Sequence, residues 1–154
     1  MNKKEIDPAN ILIRTMREED VEAITLIDSM YFGAPRPEYY REKLIAATKG
    51  AGINTSLVAE VSGELVGFIM GQLYIGEFGI PENTGNLETI GVHPMATGKG
   101  VANKLLEQFT MQMTKLGVSK IHTLVDWDDK NLMLFLHRSG FVPSKRLSLE
   151  MNLK

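Results

Sequence analysis

The sequence predicts an α/β fold, a mixed β-sheet with helices on both faces. Three observations predict it. Early apolar runs come as a pair joined by a tight link, a strand-helix-strand succession follows later, and no repeat, low-complexity stretch or linker interrupts the 154 residues. The pair implies antiparallel strands, the later succession implies a crossover, and a sheet that holds both is mixed. A composition of 44% hydrophobic and 23% charged residues suits one compact core, so residues 1–154 are expected to form a single domain.

Each element follows from local pattern. "ILIRTM" (11–16) alternates apolar and polar residues and reads as a strand; in "REEDVEAITLIDSMYF", Val21, Ile24, Ile27 and Met30 recur at helical spacing, with Glu19 or Asp20 in the opening turn. "GAPRP" (33–37) breaks the pattern, and "EYYREKLIAATKG" reads as a second helix ending near Gly50. "TSLVAEV", the turn "SGE" and "LVGFIMGQLYI" form a hairpin. "GEFGIPENTG" (76–85), with three glycines and a proline, reads as a loop before the strand "NLETIGV". From Gly98 a long helix carries Val101, Leu105, Phe109 and Met113 on one stripe widened by Ala102 and Leu106, and Gly117 stops it. "SKIHTLVD" reads as a buried strand, "WDDKNLMLFLHRSG" as a helix capped by Asp128 and ended by Gly140, and "RLSLEMNL" as a final alternating strand.

Composition excludes several function classes. A net charge of −2 and a pI near 5.9 argue against a general nucleic-acid binder, and without cysteine there is no disulfide, thiolate metal site or cysteine nucleophile. The three histidines are far apart, so no metal is expected. "MNKKEIDPAN" is not followed by an apolar stretch of secretory length, and no window approaches 18 apolar residues; a cytoplasmic protein with no membrane partner is expected.

The chemistry centres on "GVHPMATGKGVANKLL" (91–106), where Gly98-Lys99-Gly100 lies between a strand and a helix, a usual place for phosphate. A nucleotide-triphosphate loop fails: Lys99 is followed by Gly100 instead of Ser or Thr, and Gly91 lies seven positions before Gly98 instead of five. A dinucleotide fingerprint fails at Asn103, where glycine or alanine is required. What remains is a backbone cradle, residues 98 to 102 closing small-residue N–H groups around a pyrophosphate at the positive end of a helix, or a glycine turn that merely starts that helix.

"VHPMATGKGVANKLL" resembles the acyl-CoA pyrophosphate loop of the GNAT superfamily of N-acetyltransferases, whose Q/R-x-x-G-x-G/A pattern falls on Thr97 to Ala102. Gly98, Lys99, Gly100 and Ala102 agree with it. Thr97 departs from the expected Arg or Gln, which removes a charge-assisted contact of about 1.5–3 kcal/mol while leaving the backbone cradle; Lys99 and Lys104 are candidates to compensate. The resemblance spans nearly the whole chain, with "IRTMREEDVEAI" similar to the family's opening strand and helix and "NLMLFLHRSGF" to its closing helical segment.

The resemblance implies acetyl-CoA as co-substrate, held by Thr97, Gly98, Lys99, Gly100, Val101 and Ala102. Its pantetheine would run along Ile90, Gly91 and Val92 where two strands splay apart, with Gly91 allowing a close approach, Asn131 hydrogen-bonding the cofactor and Phe135 packing on its arm. Phe135 equally suits the core of an amphipathic helix. The implied reaction is direct attack of an amine on the thioester in a ternary complex. An alkyl ammonium with a pKa near 10 must first lose a proton, and Glu88, placed on the strand face of Ile90 and Val92, is the candidate base against the simpler role of a strand-end surface glutamate. Asp126 is a weaker candidate. Many relatives place an acidic tyrosine where this chain has Leu136, and His137 points about 100° away from that position. The thiolate must then take its proton from water or from the protonated product.

The acceptor is a small-molecule or peptide amine near "SMYFGAPRPEYYREKL" and "GEFGIPENTG". Glu77, Glu82 and Glu88 suit a cation, Arg36 and Arg41 an anionic group, and Tyr31, Phe32, Tyr39 and Tyr40 either an entrance or packing. Pairing of the final strand across a two-fold axis would give a homodimer. Thr97 and Leu136 motivate a catalytically weak acyl-CoA-binding or sensing module as the alternative, and a protein-interaction domain that binds no CoA is a third reading.

Overall fold

The structure, a computed structural model, describes residues 6–49, 53–74 and 83–154. Two compact units make up the chain, residues 1–123 and 124–154.

The first unit is built on a five-stranded sheet in the order β1 (Ile11–Thr15), β2 (Leu57–Val61), β3 (Glu64–Tyr74), β4 (Thr84–Val92), β5 (Lys120–His122). The first four strands pair antiparallel and β4 pairs parallel with β5, as expected of a hairpin series followed by a crossover. That crossover is α3 (Val101–Lys115), while α1 (Val21–Phe32) and α2 (Pro37–Lys49) join β1 to β2.

Alternation along β3 sends side chains to two layers. Phe68 and Met70 join Val21, Ile24, Ile27, Tyr40 and Leu44 in one buried cluster, so α1 and α2 cover that face. Gly67 and Gly71 face the other way. A Cβ on Gly71 would stand 2.3 Å from the Phe109 ring and 2.5 Å from the Asn86 carbonyl, and one on Gly67 would stand 2.8 Å from Val101. The missing side chains let α3 lie close, and its stripe of Val101, Leu105, Leu106, Phe109 and Met113 is fully buried there.

The start of α1 is fixed by charge. Asp20 accepts two hydrogen bonds from the Arg14 guanidinium (2.7 and 2.8 Å) and one from the Arg17 backbone N–H (2.7 Å), and Arg14 also donates to Glu60. Burial raises the Asp20 carboxyl's pKa, but the bonds from Arg14 and Arg17 outweigh it and hold it below the ordinary value. β1, the turn before α1 and β2 are thereby tied at one point.

Several expectations are corrected. Met30 is exposed, and Thr25 and Asp28 take the buried positions beside Ile24 and Ile27 on α1. β5 is three residues long and only partly buried, because its ladder to β4 stops at Asn86 opposite His122. In the second unit, α4 (Lys130–Arg138) is capped by Asp129 instead of Asp128, with its carboxylate accepting from the Leu132 N–H at 3.0 Å. It closes, as α3 does, with paired bonds back from the residues beyond: Gly140 to His137 and Phe141 to Leu136, as Gly117 to Thr114 and Val118 to Met113. Residues 145–154 form no strand; alternation supplies a strand's shape, and without a neighbouring edge its backbone has no ladder to join. The two-fold strand pairing thus has no strand to rest on among the described residues. Among those residues no helix is long and apolar enough to cross a membrane.

Two stability predictions follow from these contacts. Gly71→Ala forces a methyl into the Phe109 ring and the Asn86 backbone, and urea denaturation should show a loss of about 2–3 kcal/mol or more. Asp20 titrates below the unfolded value of about 3.9, so its contribution is full above about pH 5 and fades as pH falls through the folded pKa. Asp20→Asn should therefore cost about 1.5–3 kcal/mol at pH 7, and the difference from wild type should shrink steadily in melts taken below about pH 4.

Candidate active site

β4 is the backbone of the site. Its pairing with β5 ends at Asn86, yet it continues to Val92, so residues 87 to 92 extend beyond the β5 ladder. The Leu87 carbonyl accepts the Thr123 hydroxyl (2.9 Å), and the Val92 carbonyl accepts the Tyr31 phenol (2.5 Å). Partial burial raises the Tyr31 phenol's pKa above its usual value, which keeps it a donor.

The chain leaves β4 through His93, whose N–H donates to the Val66 carbonyl and whose Nδ1 accepts from Met95 N–H (3.1 Å). One 3-10 turn follows (Pro94–Ala96), and the Thr97 hydroxyl donates to the Pro94 carbonyl (2.7 Å), so this residue closes the turn. Gly98 and Gly100 then take positive φ values of 73° and 84°, which reverse the chain into α3. The first helical bond runs from Lys104 N–H to the Gly100 carbonyl (3.0 Å). The N–H groups of Val101, Ala102 and Asn103 therefore have no intrahelical acceptor and point out of the helix start.

Nothing lies within 4 Å of where a Cβ would stand on Gly98 or Gly100. The space there is a cavity of about 710 Å³ lined by Gly98, Lys99, Gly100 and, opposite them, Ile6, Asp7 and Pro8. Left-handed glycines at a helix start face this open volume, an arrangement that receives an anion such as phosphate. The Lys104 ammonium donates to the carbonyl of Pro8, one of the residues that line this cavity. Lys99 also lines it.

Gly91 also makes room for a neighbour within the sheet. A Cβ there would stand 2.6 Å from the Phe68 ring, which lies across it from the paired strand. Ile90 pairs with Ile69 and Val92 with Gly67, on the α3 face.

Glu88 is not on that face. Met70 pairs with Thr89 and Gly71 with Leu87, so Glu88 is the extra residue of a β-bulge. The bulge breaks the alternation and turns the carboxylate toward α2, where it accepts from Lys43 (2.8 Å) and from the Gln72 amide (2.9 Å). No sequence signal marks a bulge of this kind. The other expected acids, Glu77 and Glu82, lie outside the described residues.

In the second unit Asn131 and Phe135 stand four residues apart on α4, one exposed and one half-buried, on the same helical face. Leu136 is buried and His137 exposed. Asp126 is exposed. Among the described residues no group of three His, Asp or Glu is placed to hold a metal ion.

Known proteins share both pattern and fold. The family model described as "Acetyltransferase (GNAT) family" matches residues 16–141. The structure superposes on Ard1 from Thermoplasma volcanium with a TM-score of 0.75 at 18% identity, covering 88% of this chain and 84% of that one. It also superposes on a ribosomal-protein-alanine N-acetyltransferase from Brucella melitensis (TM-score 0.70, 20% identity, 94% of this chain and 99% of that one). A third similar structure is the aminoglycoside N-acetyltransferase AAC(6')-Iy in complex with CoA (TM-score 0.74, 17% identity, 92% and 94% covered). With a family model that takes in most of its length, and with a glycine turn at the end of β4 where that family's loop falls, this chain belongs to the acetyltransferase (GNAT) family.

Proposed function

We propose that this protein is an N-acetyltransferase that passes the acetyl group of acetyl-CoA to an amine, with residues 1–154 working as one catalytic domain. The observation that carries the reading is the left-handed pair Gly98 and Gly100 opening onto the cavity at the start of α3, directly after the strand that extends beyond the β5 ladder. Gly98 to Ala102 hold the pyrophosphate through backbone N–H groups, with Lys99 adding charge. Thr97 serves by closing the preceding turn. Ile90, Gly91 and Val92 line the pantetheine path, and Asn131 and Phe135 contribute from α4.

Acetyl-CoA supplies an activated thioester; the protein's tasks are to align the amine and take its proton. Glu88 does the second. It is held between Lys43 and Gln72 on a bulge, a place where backbone irregularity re-aims a side chain. Lys43, bonded to it at 2.8 Å, must yield one contact when the ammonium of the acceptor arrives.

Thr97 and Leu136 favour a second reading. The Thr97 hydroxyl is committed to Pro94 and Leu136 is buried, so neither offers the phosphate contact or the acid that many relatives carry there. A module that binds acyl-CoA and turns over slowly or not at all fits both facts. Turnover separates the two.

The test begins with calorimetric titration of acetyl-CoA, then follows thiol release against peptides, amino acids, polyamines and aminoglycosides. Binding with release on one amine class is expected; binding without release on any class supports the sensing module, and absence of binding rejects both. Gly100→Glu, which strains a left-handed position and puts a carboxylate into the cradle, is expected to weaken acetyl-CoA binding at least about 100-fold while the melt confirms folding. Glu88→Gln is expected to lower turnover about 100-fold or more near neutral pH, with recovery at high pH where the amine is already neutral and with little change in acetyl-CoA affinity. Unchanged turnover across pH would remove Glu88 from the reaction.

A further inference from the structure

The end of α1 and the start of α2 carry a cluster with no part in the reaction so far. Asp28 is buried, and its two carboxylate oxygens accept from Nε and Nη2 of Arg36, both at 2.9 Å. Burial, with the same carboxylate nearby, pushes the Tyr40 phenol's pKa above its usual value. This side-on pairing uses one flank of the guanidinium and directs the N–H groups of Nη1 away from Asp28. The guanidinium is also stacked, 4.7 Å from the Phe32 ring centre and 4.8 Å from that of Tyr39. Yet the Arg36 side chain remains 41% exposed and Phe32 68% exposed. An arginine locked on one flank and open on the other has lost its rotamer freedom before any ligand arrives.

The cluster is tied to β4 at three places. Tyr31, next to Phe32, donates to the Val92 carbonyl. The Tyr39 ring also carries the Lys43 ammonium, 5.7 Å from its centre, and Lys43 holds Glu88. Tyr40 packs edge-on against Phe68, the ring that covers Gly91. Arg36 therefore belongs to the wall beside the stretch of β4 that bears the proposed base.

Charge on this wall points to the ligand. Among the described residues its carboxylates are already paired, Asp28 with Arg36 and Glu88 with Lys43, so a polycation finds little there to attract it. An anionic group finds Nη1. We propose, resting on the acetyltransferase reading, that the acceptor is an amine carrying a carboxylate and that Arg36 binds that carboxylate through Nη1 while the amine lies toward Glu88. Phe32 and Tyr39 cover the carbon chain between the two groups. The carboxylate belongs either to a free amino acid or to an acidic residue close to a peptide's amino end.

Matched amines differing only in the carboxylate test this. Thiol release and, separately, calorimetric binding in the presence of CoA are measured for amino acids against their carboxamides, and for short peptides with Glu against Gln after the first residue. The carboxylate member is expected to be favoured at least about tenfold, and the pair that shows it names the source. Arg36→Gln leaves the Asp28 charge buried and unpaired, so the informative variant is Asp28→Asn with Arg36→Gln, which keeps a neutral hydrogen-bonded pair. In that variant, shown folded by its melt, the preference is expected to vanish while the KM for acetyl-CoA stays within about twofold. Equal or reversed preference in the wild type in both readouts, or a preference that survives in the folded double variant, overturns the proposal. Carboxylate-selective binding with no thiol release supports the Arg36 site and rejects the acetyltransferase reading in its place.

Discussion

The geometry of this protein depends on two absent side chains in β3. Gly67 and Gly71 let α3 settle onto the sheet at a distance that any Cβ would forbid, and burial of Phe109, Leu105 and Val101 is the gain that holds it there. Gly67 pairs with Val92, and Val101 packs over Gly67. The close approach thus sets the first turn of α3 beside the last residue of β4, and the glycine turn between them has its shape imposed from both ends.

The opposite face follows the same logic with an added ring. Gly91 leaves room for Phe68 to lie across β4, Phe68 supports Tyr40, and Asp28 fixes Arg36 beside that ring. A glycine that suggested room for a cofactor is thereby the footing of the wall on the α1–α2 side. The two faces of β3 and β4 have separate duties: α3 and its first turn on one, charged and aromatic side chains on the other.

The β4 bulge connects these duties. One unpaired residue, Glu88, changes which face the strand offers, so Leu87 points into the core under α3 while Glu88 meets Lys43 and Gln72. Without the bulge the carboxylate would face a packed helix, where an ionised group is costly to bury. With it, the carboxylate is paired and partly accessible.

The sequence by itself determined the strand order of events, the hairpin, the crossover helix with its buried stripe, and the glycine turn after β4, because periodicity, turn residues and helix stops are local and each is written within a few residues. It also carried the family, through spacing in the loop and along the closing helix. What only the tertiary structure decided was direction and partnership. Glu88 changes face because of a register shift between two strands; Lys104 turns to Pro8, 96 positions away in the chain; Asp28 and Arg36, eight residues apart, join only because two helices fold against one ring. The tail from 145 to 154 shows the converse: alternation is a property of sequence, but a strand is a property of a neighbour.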